Sequence, residues 1–167
     1  MLFEVLVVVA IAAQSPYSPG DSVPGAPPPA ALLTPAQQRY VQGLRTAGRG
    51  VAQIKDGLNR LARAQSARDT LHVRGAGRRL GGLCGAARGF IVNGRLQMEP
   101  TVFEPPARKP ARDLTIRLDS LSAYSKTCQG SAAKTPTPVG AEMLGRLRAY
   151  EAALVAFRAA IGLPNRQ

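Results

Sequence analysis

Few side chains in this chain are of the kinds that do chemistry, and their spacing decides which chemistry is open to them. The single histidine, His72, follows Asp69 by three residues at an expected helix start, a position where histidine serves as a capping or surface group far more often than as a catalyst. With no second histidine, and with the two cysteines expected to pair, it has no company for a metal site. Ser131 and Lys134 match the SxxK spacing of penicillin-binding serine enzymes, but both companion motifs are missing and the match falls in a linker-like stretch, so it is read as chance. HExxH, GxSxG and GxxxxGK are absent, and the ten carboxylates include no i, i+3 or i+4 pair of the kind that builds a dimetal site in a bundle. No catalytic residue, cofactor or metal is expected. An enzyme would have to work through His72 or Ser131.

Two residue classes remain: the cysteines and the arginines. Cys84 and Cys128 are the only cysteines, and an exported chain of this size is expected to join them in one disulfide. The alternative is a pair of buried thiols. Arginine outnumbers lysine 18 to 4, and the formal net charge is +12. Residues 39 to 95 hold twelve basic side chains against Asp56 and Asp69, a surplus of ten. Such a field attracts polyanions in a salt-dependent way, and guanidinium groups suit bidentate pairing with phosphate or carboxylate. A GC-rich coding sequence is the competing origin of the arginines. Aromatic residues are few and not interleaved with the basic ones, which leaves no stacking platform for single strands, and no specific nucleic-acid motif is present.

Positioning these groups falls to helices. Met1 to Ala13 ends in an apolar run that closes on small residues, as a signal peptide does, and is too short to span a bilayer. No Lys or Arg precedes the run, so a start further upstream and a buried N-terminal helix are both alternatives. Residues 14–33, rich in Pro, Gly, Ser and Ala, read as a disordered tether. The secreted or periplasmic space is the expected location. Residues 34–167 are the expected helical domain, an all-α antiparallel four-helix bundle. Its apolar fraction of 45% includes 27 alanines and no tryptophan, so little area leaves water per residue and a cross-link matters more than usual.

Thr34, Pro35 and Gln37 form a helix start with a capping box. Tyr40, Leu44, Ala47, Val51, Ile54, Leu58 and Leu61 then alternate four and three apart, a heptad seam. Gly43, Gly50, Gly57 and Ala64 recur every seven residues along one edge of that seam, where a neighbouring helix can come close at up to about 1 kcal/mol of propensity per glycine. The segment Leu33 to Gln37, LTPAQ, resembles the LTxxQ element of periplasmic helical chaperones over five residues. It occurs once, helix capping accounts for it, and no membership follows.

Asp69 is the expected cap of a second helix running to Arg95, with Val73, Ala76, Leu80, Leu83, Ala87 and Phe90 on its core face. At about 100° per residue, Arg74, Arg78, Arg88 and Arg95 share one arc opposite Leu80 and Ala87. Gly77, Gly81, Gly85 and Gly89 sweep across the same arc. Either this is a low basic surface that meets an anion, or another helix or the tail packs on the glycines, or the glycines are tolerated drift. Met98 to Arg112, with prolines at 100, 105, 106 and 110, is expected to be loop. A third helix is expected from Ala111 to Thr127, although Leu114, Ile116 and Leu118 also alternate like a strand. Folding it back on the second brings Cys84 near Cys128. Residues 129–137 read as a linker and Thr137-Pro138 as the start of a fourth helix, with Met143, Leu147, Tyr150, Leu154, Phe157 and Ile161 as its seam, stopped by Gly162 and Pro164.

The functional expectation is a non-enzymatic basic bundle without a transmembrane span that binds an anionic envelope surface or polyanion, with Arg74, Arg78, Arg88 and Arg95 as the contact residues. The alternative is a structural or chaperone-like protein that binds partners or dimerises through its apolar seams.

Overall fold

Thr34 starts the first helix in the way its neighbours require. Its Oγ accepts from the Gln37 amide at 3.3 Å while the Gln37 side chain accepts from the Thr34 amide at 2.9 Å. This reciprocal pair satisfies two of the amides that a helix start leaves open. A computed structural model describes residues 33–163 of the chain, so the signal-like segment 1–13 and all but the last residue of the tether lie outside the described residues. Within them the protein is all-helical, with α1 (Pro35–Ser66), α2 (Thr70–Arg95), α3 (Pro105–Ser131) and α4 (Pro136–Ala160). None of these helices is long and apolar enough to cross a membrane.

Residue pairings set the helix directions. Gly43 meets Gly94 and Gly57 meets Leu80 across α1 and α2, Cys84 joins Cys128 across α2 and α3, and Arg146 on α4 donates to Ser120 on α3 at 2.6 Å. Lys55 pairs with Glu151 at 2.5 Å and Gln65 donates to Thr137 at 3.1 Å, which runs α4 antiparallel to α1. Each helix therefore runs opposite to the next, as in an up-down-up-down bundle. The expected seam of α1 is buried from Tyr40 to Leu61, with Leu44 half-buried, and Met143, Leu147, Tyr150 and Phe157 of α4 face it across the core.

Gly43, Gly50 and Gly57 draw α2 against α1. A Cβ at Gly50 would stand 2.5 Å from the Ala87 carbonyl oxygen, and one at Gly57 would stand 2.8 Å from a Leu80 methyl. The expected role of this glycine edge is thereby met, at the partner helix the spacing alone did not name.

Three expectations about α2, α3 and α4 need correction. The proline-rich segment is not all loop: Met98 and Phe103 are buried anchors, Pro100–Val102 is a 3-10 turn, and α3 begins at Pro105. Pro105 and Pro106 occupy the first turn, where a missing N–H costs nothing, and Pro110 is carried inside the helix at the loss of one backbone bond. The second linker is also shorter than its composition implies. α3 continues to Ser131, α4 starts at Pro136, and only residues 132–135 connect them. On α2, Phe90 is exposed and Ile91 is buried instead, because the helix is packed by α1 on one side and by α3 on another, which turns its buried arc toward the glycines. The strand-like alternation in α3 is settled as helix, with Leu114, Leu118 and Leu121 buried and Ile116 exposed.

One end of the core is aromatic. Tyr40, Phe103 and Phe157 form a three-ring cluster with centroids 5.0, 5.1 and 5.3 Å apart, a spacing that favours edge contacts. The Tyr40 hydroxyl is buried and donates to the Ala111 carbonyl at 2.7 Å. Burial holds its pKa far above the usual tyrosine range, with the field of Arg95 opposing. Tyr40→Phe keeps the rings and deletes this one bond, and urea unfolding is expected to show a loss of about 1 kcal/mol. An unchanged midpoint would show that the bond contributes nothing.

Candidate anion-binding surface

α1 and α2 meet in a tight reversal, Ala67-Arg68-Asp69, that gathers the last turns of one helix against the first turns of the next. Arg68 makes the turn with φ 53°, the one left-handed non-glycine residue among the described residues, and such a conformation strains a side-chain-bearing residue. Asp69 then caps α2. One carboxylate oxygen accepts from the Leu71 and His72 amides at 2.9 and 3.0 Å, and the other contacts His72 Nδ1 at 2.6 Å. These bonds, the His72 amide foremost and its ring next, hold the Asp69 carboxyl below the usual range. His72 is thus a capping partner, largely exposed. Ser131, the other candidate for chemistry, ends α3, and its carbonyl accepts from the amides of Lys134 and Thr135 at 3.0 and 2.9 Å.

Beside this turn lies an open cleft of about 790 Å³, with Arg60 and Arg63 on its α1 side and Arg79 on its α2 side. Gly75 keeps the α2 side low, since nothing lies within 4 Å of where its Cβ would be. The three guanidinium groups act on one spot. Asp56 is held below the usual carboxylate range first by a hydrogen bond from Arg60, at 2.8 Å, and further by the fields of Arg79 and Arg63. Arg63 Nε donates to the Asn59 carbonyl at 3.3 Å. Arg63 and Arg79 form no ion pair among the described residues, so cationic groups face the cleft in excess of the two carboxylates near it.

The four arginines expected to share one surface are divided. Arg74, Arg78 and Arg88 are exposed. Arg95 is half-buried and engaged, donating from Nε to Asp119 at 3.1 Å and from Nη1 to the Met98 carbonyl at 3.2 Å. The reason is the glycine row. A Cβ at Gly77 would collide with the Ala132 carbonyl, one at Gly81 would stand 3.2 Å from the Gln129 carbonyl, and one at Gly85 would stand 2.9 Å from the Gln129 side chain. α3 and its following turn therefore cover part of the arc that the arginines share, and of the readings of these glycines the packing one describes Gly77, Gly81 and Gly85. Gly75, Gly82 and Gly89 face open space.

Cys84 and Cys128 close this same contact. They form a disulfide with Cα atoms 6.1 Å apart, both fully buried. Among the described residues no three His, Cys, Asp or Glu side chains are grouped to hold a metal ion.

No family model, curated protein or solved structure matches this chain. Its surface must be read from its own geometry. The arc of Arg74, Arg78, Arg88 and Arg95 does not include Arg60, Arg63 or Arg79, because Arg60 and Arg63 lie on α1 and Arg79, one residue on from Arg78, is turned about 100° away from it. The surplus of ten positive charges over residues 39 to 95 was the available signal, and only the hairpin geometry shows where part of it converges.

Proposed function

We propose that this is an exported, non-enzymatic helical bundle that binds an anionic envelope surface or polymer through its α1–α2 hairpin. The observation that carries the reading is the convergence of Arg60, Arg63 and Arg79 on one open cleft, with Arg74, Arg78 and Arg88 exposed on α2. Arg60 is paired with Asp56, whereas Arg63 and Arg79 lack carboxylate partners among the described residues and keep N–H donors for phosphate or carboxylate oxygens outside the fold. Export is supported by the disulfide, since such bonds persist in oxidising compartments, and by the signal-like run ahead of the tether. The rival reading, partner binding or dimerisation through the apolar seams, has less to draw on, because Tyr40, Ala47, Val51, Ile54, Leu58 and Leu61 are spent inside the chain's own core.

Sedimentation with phosphatidylglycerol vesicles tests the proposal. Each basic side chain near such a surface contributes about 1 kcal/mol, so Arg60→Gln, Arg63→Gln and Arg79→Gln combined are expected to weaken binding roughly a hundredfold and to flatten its salt dependence. Arg74→Gln, Arg78→Gln and Arg88→Gln combined are expected to act in the same direction. Binding of the wild type that ignores salt, or that survives both sets of substitutions, would sink the proposal.

A further inference from the structure

The seam between α1 and α4 stands open at the aromatic end of the bundle. Glycines bring α2 onto α1, whereas at this end α1 and α4 meet through the rings of Tyr40 and Phe157, 5.1 Å apart. Outside them runs a groove of about 440 Å³. Val41 and Leu44 form its α1 wall and Leu154 its α4 wall over the buried Phe157 ring, and Leu163 extends it beyond the helix end. Gly48 belongs to the lining too, and nothing lies within 4 Å of the place its Cβ would take.

Two cations stand at this groove, Arg45 and Arg158. Among the described residues neither forms an ion pair. The neighbouring acid on α4, Glu151, is already paired with Lys55. Tyr150, which also borders the groove, has its pKa pushed up to about 12 by burial, with the Arg158 field opposing. The groove thus combines apolar walls of small-ligand dimensions with a few oriented polar groups, and its charge is complementary to an anion. A polyanion needs cations along its whole length, whereas here they are two and the walls between are hydrocarbon.

We infer that this groove binds a single-chain amphiphile with a carboxylate head, a medium-chain fatty acid, with its tail along Val41, Leu44 and Leu154 and its head at Arg45 and Arg158. The site is independent of the α1–α2 cleft and shares no residue with it. A guanidinium fork matches a carboxylate in two hydrogen bonds, and each methylene that leaves water raises affinity roughly fourfold.

Calorimetric titration of the full chain with laurate, kept below its micellar concentration, tests this against lauryl alcohol. Saturable uptake of laurate is expected, tighter than that of the alcohol. Gly48→Leu places a side chain in the groove and improves helix propensity, so it is expected to weaken laurate binding at least tenfold with the thermal midpoint unchanged or raised. Arg45→Gln with Arg158→Gln is expected to erase the preference for laurate over the alcohol while leaving alcohol uptake in place. Undiminished laurate binding by Gly48→Leu overturns the inference, as does equal affinity of the wild type for the two probes. Absence of saturable uptake overturns it too.

Discussion

Replacing Cys84 and Cys128 together by alanine is expected to lower the unfolding free energy by about 4 kcal/mol, in the chain-entropy account for a ring of this size. The two residues are 44 apart in sequence, so the bond removes a large set of open conformations from the unfolded chain. A small domain has on the order of 5–15 kcal/mol in total, and this one has 27 alanines and no tryptophan, with its large buried rings gathered at one end of the core. The bond also sits where no large side chain can substitute for it, because Gly77, Gly81 and Gly85 bring the α3 backbone onto α2 and leave little apolar area at that contact. Urea unfolding of the double variant beside the wild type reads the difference directly. Because both sulfurs are fully buried, reductant is expected to act only on molecules that open, and reduction of the wild type should quicken as urea approaches the midpoint. A double variant with the wild-type midpoint would show that the helices hold this contact without it.

Gly94→Ala is expected to destabilise by about 2 kcal/mol, the second largest effect on stability. A Cβ there meets the Gly43 carbonyl oxygen and stands 2.5 Å from the Ala47 amide nitrogen. These are backbone atoms in the middle of a helix, and no rotamer change relieves them. Overpacking of this kind costs typically 1–3 kcal/mol, and the gain in propensity of alanine over glycine, up to about 1 kcal/mol, offsets only part of it. Gly82→Ala supplies the opposite sign. It lies on the same helix with open space around its Cβ position, so it receives the propensity gain alone and is expected to raise stability by about 0.5–1 kcal/mol. If both substitutions moved the urea midpoint in the same direction, close approach of α1 and α2 would not be what these glycines are for.

The contrast between Gly82 and Gly94 shows where sequence reasoning reaches its limit. Both are glycines of α2, Gly82 in its middle and Gly94 in its last turn, and the neighbours of neither show whether a Cβ would find room. What separates them is which part of α2 a second helix covers. The same holds for the arginines. On a helical arc Arg95 belongs with Arg74, Arg78 and Arg88, yet it turns to Asp119 on α3 while the other three stay exposed. Phe90, placed on the core face by period alone, is exposed because α3 as well as α1 claims a side of α2. Pro110 looks like a helix breaker by type, but a helix held by a buried face from Ala111 to Cys128 absorbs the loss of one bond.

Local rules were enough for the helix starts at Thr34 and Asp69, the stop at Gly162 with φ 70°, the seams of α1 and α4 and the pairing of the two cysteines. Each depends on bonds within one turn, on the 3.6-residue period or on the reach of a single hairpin, all of which are written in consecutive residues. The tertiary structure alone decided that α3 lies over the glycine row, that Arg60, Arg63 and Arg79 face one cleft, and that α1 and α4 meet through rings at one end and through Gly140 against Leu61 at the other. Those outcomes depend on the rotation and offset of one helix against another, which are set by the summed packing of distant side chains and leave no periodic mark in any one segment.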